Sequence, residues 1–215
     1  MLVLSTGGTD FHTADARRKG LEAMRTALLM IDIQNDYFPG GKFELANPIP
    51  ALETAERLLR RFRVEKRPIF HVQHISKMGA AFFLPETEGV KIHPRLAPLA
   101  GEKVIVKHVP NSFFETELLA ELQKAAITDL VACGMMTQMC VDTTVRAARD
   151  FGLSVTLIAD ACAAREMTWA GRTVPAETVQ AVYFASLSGS FAQIATGAEY
   201  LERLTPPEEA FRLEN

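Results

Sequence analysis

The chain has 215 residues, of which 48% are hydrophobic and 23% charged, and its formal net charge is −3. This length accommodates one α/β domain with a hydrophobic core, and the composition argues against a disordered chain. The slight negative charge argues against a nucleic-acid partner, which needs a basic surface. No apolar run approaches the ~18–20 residues of a membrane helix, so we expect no membrane partner. Three cysteines make no disulfide framework, which favours a reducing, cytoplasmic location.

The first 23 residues differ from the rest of the chain. They are polar and glycine-rich, without apolar periodicity and without the basic start of a signal peptide. We predict that residues 1–23 form a flexible N-terminal arm and that residues 24–215 form a single domain.

Short apolar runs alternate along the chain with segments of helical periodicity. Strands are predicted at 26–32, 68–73, 102–107, 128–133, 154–159 and 191–195, and helices at 51–62, 138–151, 175–187 and 198–204. A further helix follows a predicted capping box at Ser112 and Glu115, and residues 77–101 are predicted to be a long loop. This alternation predicts a three-layer α-β-α fold with a mostly parallel central sheet of about six strands.

A cysteine follows the fourth predicted strand. That strand ends at Cys133, a turn beginning with Gly134 comes next, and Cys140 falls in the first turn of the following helix. Unpaired N–H groups at a helix start favour a thiolate and can hold an oxyanion, so Cys140 is a candidate nucleophile. The alternative is that Cys140 is a small buried apolar residue.

Two charged residues end other apolar strands. Asp32 closes the first strand and Lys107 the third, where burial of a charge is costly without a partner or a task. Asp32 alone could cap a turn, and Lys107 alone could extend its ammonium to solvent. Because parallel strands bring their carboxyl ends to one edge, we expect Asp32, Lys107 and Cys140 to converge.

Three segments carry a resemblance to a known family. Leu29–Pro39 (LMIDIQNDYFP), Val104–Phe113 (VIVKHVPNSF) and Val131–Asp142 (VACGMMTQMCVD) resemble the acid, lysine and nucleophile motifs of isochorismatase-like cysteine hydrolases, in the same order. The resemblance covers roughly residues 25–205 and implies that family's Rossmann-like fold.

The resemblance also implies a mechanism. Asp32 would accept a proton from Cys140, Lys107 would stabilise the charges, and the thiolate would attack a small amide to give a thioester. It further implies a cis peptide between Met135 and Met136, an oxyanion hole formed by the N–H groups of Met136 and Cys140, no cofactor, and a homodimer or homotetramer.

Two alternatives to amide hydrolysis stay open. Isochorismatases proper cleave a vinyl ether and usually lack the cysteine, which this chain keeps at position 140. A catalytically silent binding module of the same fold is the second alternative, and the intact set of acid, lysine and cysteine argues against it.

The remaining expectations concern metal and substrate. Nicotinamidases of the superfamily bind a metal through an Asp-x-His pair and another histidine, whereas the corresponding segment here is His71-Val72-Gln73-His74, so we expect no metal. A small-molecule substrate is expected. The predicted pocket residues are Phe38, Gln73, His74, Phe114 and Trp169.

Overall fold

The computed structural model describes residues 25–204. The predicted N-terminal arm, 1–23, lies outside the described residues.

Six parallel strands form the central sheet. In chain order, the strands of the structure are β1 (Thr26–Ile31), β2 (Ile69–His74), β3 (Lys103–Lys107), β4 (Asp129–Met135), β5 (Ser154–Ala163), β6 (Met167–Trp169), β7 (Arg172–Val174) and β8 (Gln193–Ala195). The order across the sheet is β3-β2-β1-β4-β5-β8, and each neighbouring pair is parallel. All six predicted strands are therefore present, and β5 is longer than predicted.

Helices cover both faces of this sheet. They are α1 (Pro48–Val64), α2 (Leu118–Lys124), α3 (Asp142–Asp150), α4 (Ala176–Leu187) and α5 (Gly197–Leu204). Helices α1 and α5 pack against one face, and α2, α3 and α4 pack against the other. This confirms the predicted three-layer α/β class. Within residues 25–204, no helix is both long and apolar enough to cross a membrane.

The central strand β1 shows why the sheet is covered twice. Leu28 and Met30 face the core beneath α1, while Leu29 and Ile31 face the core beneath α3. A strand buried on both faces reads as a continuous apolar run rather than as an alternating one. Full burial of each such side chain contributes about 1.5–3 kcal/mol, so β1 anchors the sheet between two cores.

The predicted capping box is wrong. Helix α2 begins at Leu118, and Glu115 lies outside it with a left-handed φ of 54°. The Ser112 hydroxyl instead lies 2.8 Å from the hydroxyl of Thr144 in α3. The Ser112 hydroxyl, which the local spacing predicted to cap a helix, therefore pairs with a residue that is distant in sequence.

A hairpin occupies part of the segment after β5 that has no clear sequence pattern. Strands β6 and β7 pair antiparallel, with Trp169 opposite Arg172, and the two residues between them, Ala170 and Gly171, have φ of 48° and 76°. Positive φ at both positions is typical of the tight turns that join hairpin strands. With three residues each, these strands are too short to show the alternation by which strands are predicted.

Candidate active site

The sheet brings three distant residues to one edge. Chain order runs outward from β1 to β3 on one side and from β4 to β8 on the other, so the carboxyl ends of β1 and β4 flank the switch point. Ligands of open parallel sheets bind at such a point. Asp32 directly follows β1, Lys107 ends β3, and Cys140 lies five residues beyond β4; their exposures are 0%, 1% and 5%.

Asp32 and Lys107 form a fully buried ion pair. The Lys107 Nζ lies 2.7 Å from Asp32 Oδ2, and neither side chain is exposed to solvent. The ammonium also donates to the carbonyl oxygens of Val109 at 3.2 Å and Pro110 at 2.9 Å. Burial lowers the pKa of Lys107, but the Asp32 carboxylate and the Cys140 side chain raise it by more. Lys107 is therefore a fixed positive charge.

Cys140 lies beside this pair. Its Sγ, a carboxylate oxygen of Asp32 and a ring nitrogen of His74 are all within 4.8 Å of one another. Burial, followed by the negative charge of Asp32, raises the pKa of the Cys140 thiol, and Lys107 only partly opposes this. Burial and the Asp32 carboxylate therefore favour the thiol form, in the opposite direction to the predicted effect of the helix-start N–H groups.

The backbone before Cys140 has an unusual course. Gly134 has φ of 141°, and a Cβ there would lie 2.0 Å from the carbonyl oxygen of Ile31 in β1. Only glycine fits such a close approach, which sets the end of β4 directly against β1. The peptide between Met135 and Met136 is cis, and Thr137–Val141 then form a single π-helical turn rather than the predicted regular helix start.

Helix α4 holds this turn from outside. The Thr137 hydroxyl, fully buried, donates to the carbonyl oxygen of Ala163 at 3.1 Å. Gln180 in α4 donates from Nε2 to the Thr137 hydroxyl at 3.4 Å and to the carbonyl oxygen of Cys162 at 2.9 Å. Together these bonds tie the nucleophile turn to the end of β5 and to α4.

Gln34, to which the sequence assigned no role, positions His74. The Gln34 Nε2 donates to the carbonyl oxygens of His74 at 2.8 Å and Val90 at 2.7 Å, and its Oε1 accepts from the His74 N–H at 2.8 Å. Burial lowers the pKa of the His74 imidazole, which keeps the ring neutral at pH 7. The available sequence signal was a glutamine two residues after Asp32, next to a strand buried on both sides.

Asp36 anchors the long loop. It is 3% exposed, and its carboxylate accepts hydrogen bonds from the N–H groups of Phe83 at 2.6 Å and Lys42 at 3.1 Å. A carboxylate that accepts backbone bonds is stabilised when buried. Asp36 therefore fixes the loop that passes over the edge where the site lies.

The predicted pocket residues differ in position and in exposure to solvent. His74 lies beside Asp32 and Cys140. Gln73 donates to the Val90 carbonyl at 2.8 Å, and Phe38 is 4% exposed with its ring 4.5 Å from that of His93. Phe114 and Trp169 are 53% and 84% exposed, so in this chain they are surface residues rather than buried pocket walls.

A groove of about 430 Å³ adjoins the nucleophile turn. Met136 and Gln138 of the segment before Cys140 line it, as do Arg165 and Phe43, whose ring centroid lies 4.3 Å from the Arg165 guanidinium carbon. The remaining lining combines the apolar side chains of Phe82, Met139 and Met167 with the polar ones of Glu166 and Thr168.

Comparison with known proteins identifies the family. The isochorismatase domain model matches residues 26–199. The chain belongs to the isochorismatase family. It is 49% identical over 180 residues to the isochorismatase family protein YddQ of Bacillus subtilis, covering 83% of this chain and 100% of YddQ. An isochorismatase from Pseudomonas putida superposes with a TM-score of 0.78 at 36% identity, covering 82% of this chain and 90% of that one.

A third family member has a named activity. The streptothricin hydrolase of Streptomyces noursei is 33% identical over 153 residues, covering 70% of this chain and 55% of that protein. This chain is accordingly a hydrolase of the isochorismatase family, and the family resemblance predicted from the three motifs is confirmed.

Proposed function

We propose that this isochorismatase-family hydrolase cleaves a C–N bond of a small amide through a thioester on Cys140. The observation that carries the proposal is the proximity of the Cys140 Sγ, within 4.8 Å, to a carboxylate oxygen of Asp32, whose other partner is the Lys107 ammonium. A base beside a nucleophile, held by a third group, is the arrangement that nucleophilic catalysis requires.

The first step forms the thioester. Asp32 takes the Cys140 thiol proton as the sulfur attacks the carbonyl carbon, and the carbonyl π electrons move to oxygen. The N–H groups of Met136, which directly precedes the π-helical turn, and Cys140, which lies within it, are the proposed donors to this oxyanion. Each such donor contributes about 3–4 kcal/mol. When the tetrahedral species collapses, the C–N bond breaks and Asp32 returns the proton to the leaving nitrogen.

The second step consumes water. Asp32, again a carboxylate, accepts a proton from water as the water oxygen attacks the thioester carbon. The C–S bond then breaks, the carboxylic acid leaves, and the sulfur regains its proton. Lys107 keeps its charge throughout, because three acceptors hold its ammonium.

Amide cleavage is favoured over vinyl-ether cleavage because a cysteine occupies the attacking position. An amide needs a nucleophile on its carbonyl carbon, whereas acid-assisted ether cleavage does not. The streptothricin hydrolase among the relatives supports hydrolysis but leaves the bond open. Self-association into a homodimer or homotetramer stays a prediction.

The test is a screen of small amides for release of ammonia or amine. We expect turnover by the native chain and a loss of at least about 10³-fold in Cys140→Ser, which keeps the size of the side chain. Cys162→Ser is the matched control, because Cys162 is also buried and free, and its sulfur bonds to the backbone of Ile158 and Gly134 rather than to Asp32 or Lys107. Amide turnover that survives in Cys140→Ser would refute the mechanism.

A further inference from the structure

The trio of Asp32, His74 and Cys140 combines three different metal-ligand types at one point. One carboxylate oxygen, one imidazole nitrogen and one sulfur lie within 4.8 Å of one another. Among residues 25–204, this is the one cluster of three potential metal-ligand side chains with its ligand atoms so close together. Carboxylate, imidazole and thiolate are the three side-chain ligands of zinc in proteins, and three of them with an open fourth position make a common zinc geometry.

The separations between the three ligand atoms need at most a small contraction to match those of a tetrahedral metal site. Bonds of about 2.0–2.3 Å to a tetrahedral ion place ligand atoms roughly 3.4–3.7 Å apart, so separations of up to 4.8 Å must contract by about 1.4 Å at most. Cys140 lies in the π-helical turn before α3, and His74 is the last residue of β2. Rotation of these side chains can supply the contraction without moving the sheet.

The carboxylate has an oxygen to spare. Lys107 holds Asp32 Oδ2, while Oδ1 is buried and has no hydrogen-bond partner among the described residues. A buried acceptor without a partner costs about 1–3 kcal/mol, so a cation at Oδ1 would relieve that cost. His74 has its backbone N–H and carbonyl fixed by Gln34, which holds the residue in place while its ring stays available.

We propose that Asp32, His74 and Cys140 form a reversible binding site for a borderline-soft divalent cation of the zinc class, whose occupation blocks the nucleophile. The ion replaces the thiol proton, which passes to solvent, and forms bonds to Sγ, an imidazole nitrogen and Oδ1. A chloride or hydroxide ion from solvent fills the fourth position. Lys107 stays charged. The negative charges of the thiolate, the carboxylate and the fourth anion then cancel the positive charges of the divalent ion and the ammonium.

This site is inhibitory rather than catalytic. The sulfur bound to the ion cannot attack a carbonyl carbon, and the Asp32 oxygen bound to it cannot take a proton. Only this consequence rests on the proposed function, because binding of the ion needs no turnover.

The decisive experiment uses Co²⁺ as a spectroscopic probe of the full-length, reduced, metal-free chain. We expect a thiolate-to-cobalt charge-transfer band that saturates at one equivalent, and its loss in Cys140→Ser. A native chain that gives no such band, or a band that persists in Cys140→Ser, overturns the proposal.

The histidine is tested with a matched pair of variants. His74→Asn should weaken Co²⁺ binding by about tenfold or more, because it removes one of three ligands. His93→Asn should leave binding unchanged, since His93 lies outside the trio and its ring accepts a bond from the Arg95 N–H. Equal affinities of the two variants would refute a role for His74.

A second measurement on the unaltered chain needs no variant to fold. Equimolar Zn²⁺ should slow alkylation of Cys140 by iodoacetamide at least about tenfold, and a chelator should restore it. Unchanged alkylation overturns the proposal. If the ion binds but no amide is hydrolysed, the proposed function fails while the metal site stands. If amides are hydrolysed but no ion binds, the metal site fails while the proposed function stands.

Discussion

Removal of the Lys107 ammonium should destabilise the fold far more than removal of a surface lysine from the same strand. At 2.7 Å and an effective dielectric constant of about 20, the attraction between Lys107 and Asp32 is roughly 6 kcal/mol before the cost of burial. Lys107→Met would leave the Asp32 carboxylate buried without its counter-charge. Breaking a buried pair in this way costs about 3–5 kcal/mol.

For a domain of this size, that loss corresponds to a fall in Tm of about 6–20 °C, measurable by thermal unfolding. Lys103→Met is the matched control: Lys103 also lies in β3, but its side chain is 52% exposed in its pair with Glu121, so we expect a change of no more than ~1 kcal/mol. The double variant Asp32→Asn/Lys107→Met should recover much of the loss, because no unpaired charge remains. Equal destabilisation by Lys107→Met and Lys103→Met would refute the reasoning.

Two further predictions concern single carboxylates. Asp32→Asn removes a charge that raises the pKa of the Cys140 thiol, so iodoacetamide should label Cys140 faster at pH 7 while turnover falls about 10²–10⁴-fold; slower labelling would contradict this account. Although burial opposes it, hydrogen bonds from Arg63 lower the pKa of Glu102 from 4.5 to about 2. A lowered folded-state pKa stabilises the fold above pH 4.5, and this stabilisation is lost as the pH falls towards 2. Glu102→Gln should flatten the decline of Tm over that range, and an unchanged slope would exclude this contribution.

The sheet was predictable because its central strands are buried on both faces. In β1 the neighbours of Leu28 and Leu29 are apolar on either side, so the run stands out without any alternation. Asp32 was predictable for the same reason, since a charge directly after such a run is conspicuous. Lys107 ends the edge strand β3, whose residues Val104 and Val106 are exposed, so its signal was a short apolar run alone. Parallel topology then placed their strand ends at one edge.

Contacts between distant parts of the chain could not be predicted. The reciprocal bonds between Gln34 and His74 join residues 40 positions apart, and no local spacing encodes them. The partner of Ser112 is Thr144, 32 positions away, so the spacing to Glu115 misleadingly indicated a helix cap.

The protonation state of Cys140 illustrates a different limit. Its position after a strand and a glycine turn indicated a nucleophile, and the same position suggested a stabilised thiolate. At 5% exposure, burial raises the pKa of the thiol, and the carboxylate of Asp32 raises it further. Local sequence places the sulfur, but the surrounding core determines whether it carries a proton.

A protonated sulfur changes what the neighbouring groups must do. A thiolate enzyme would need only a positive charge beside the sulfur, whereas a resting thiol needs an acceptor within reach during attack. Asp32 is such an acceptor, and the ammonium of Lys107 holds one of its oxygens and leaves the other without a hydrogen bond among the described residues. Because the charge of Lys107 is fixed by three acceptors, the proton that moves in the proposed reaction is the one that passes from Cys140 to Asp32. The same free oxygen that can receive this proton is the one that a divalent cation would occupy, so catalysis and metal binding at this site exclude each other.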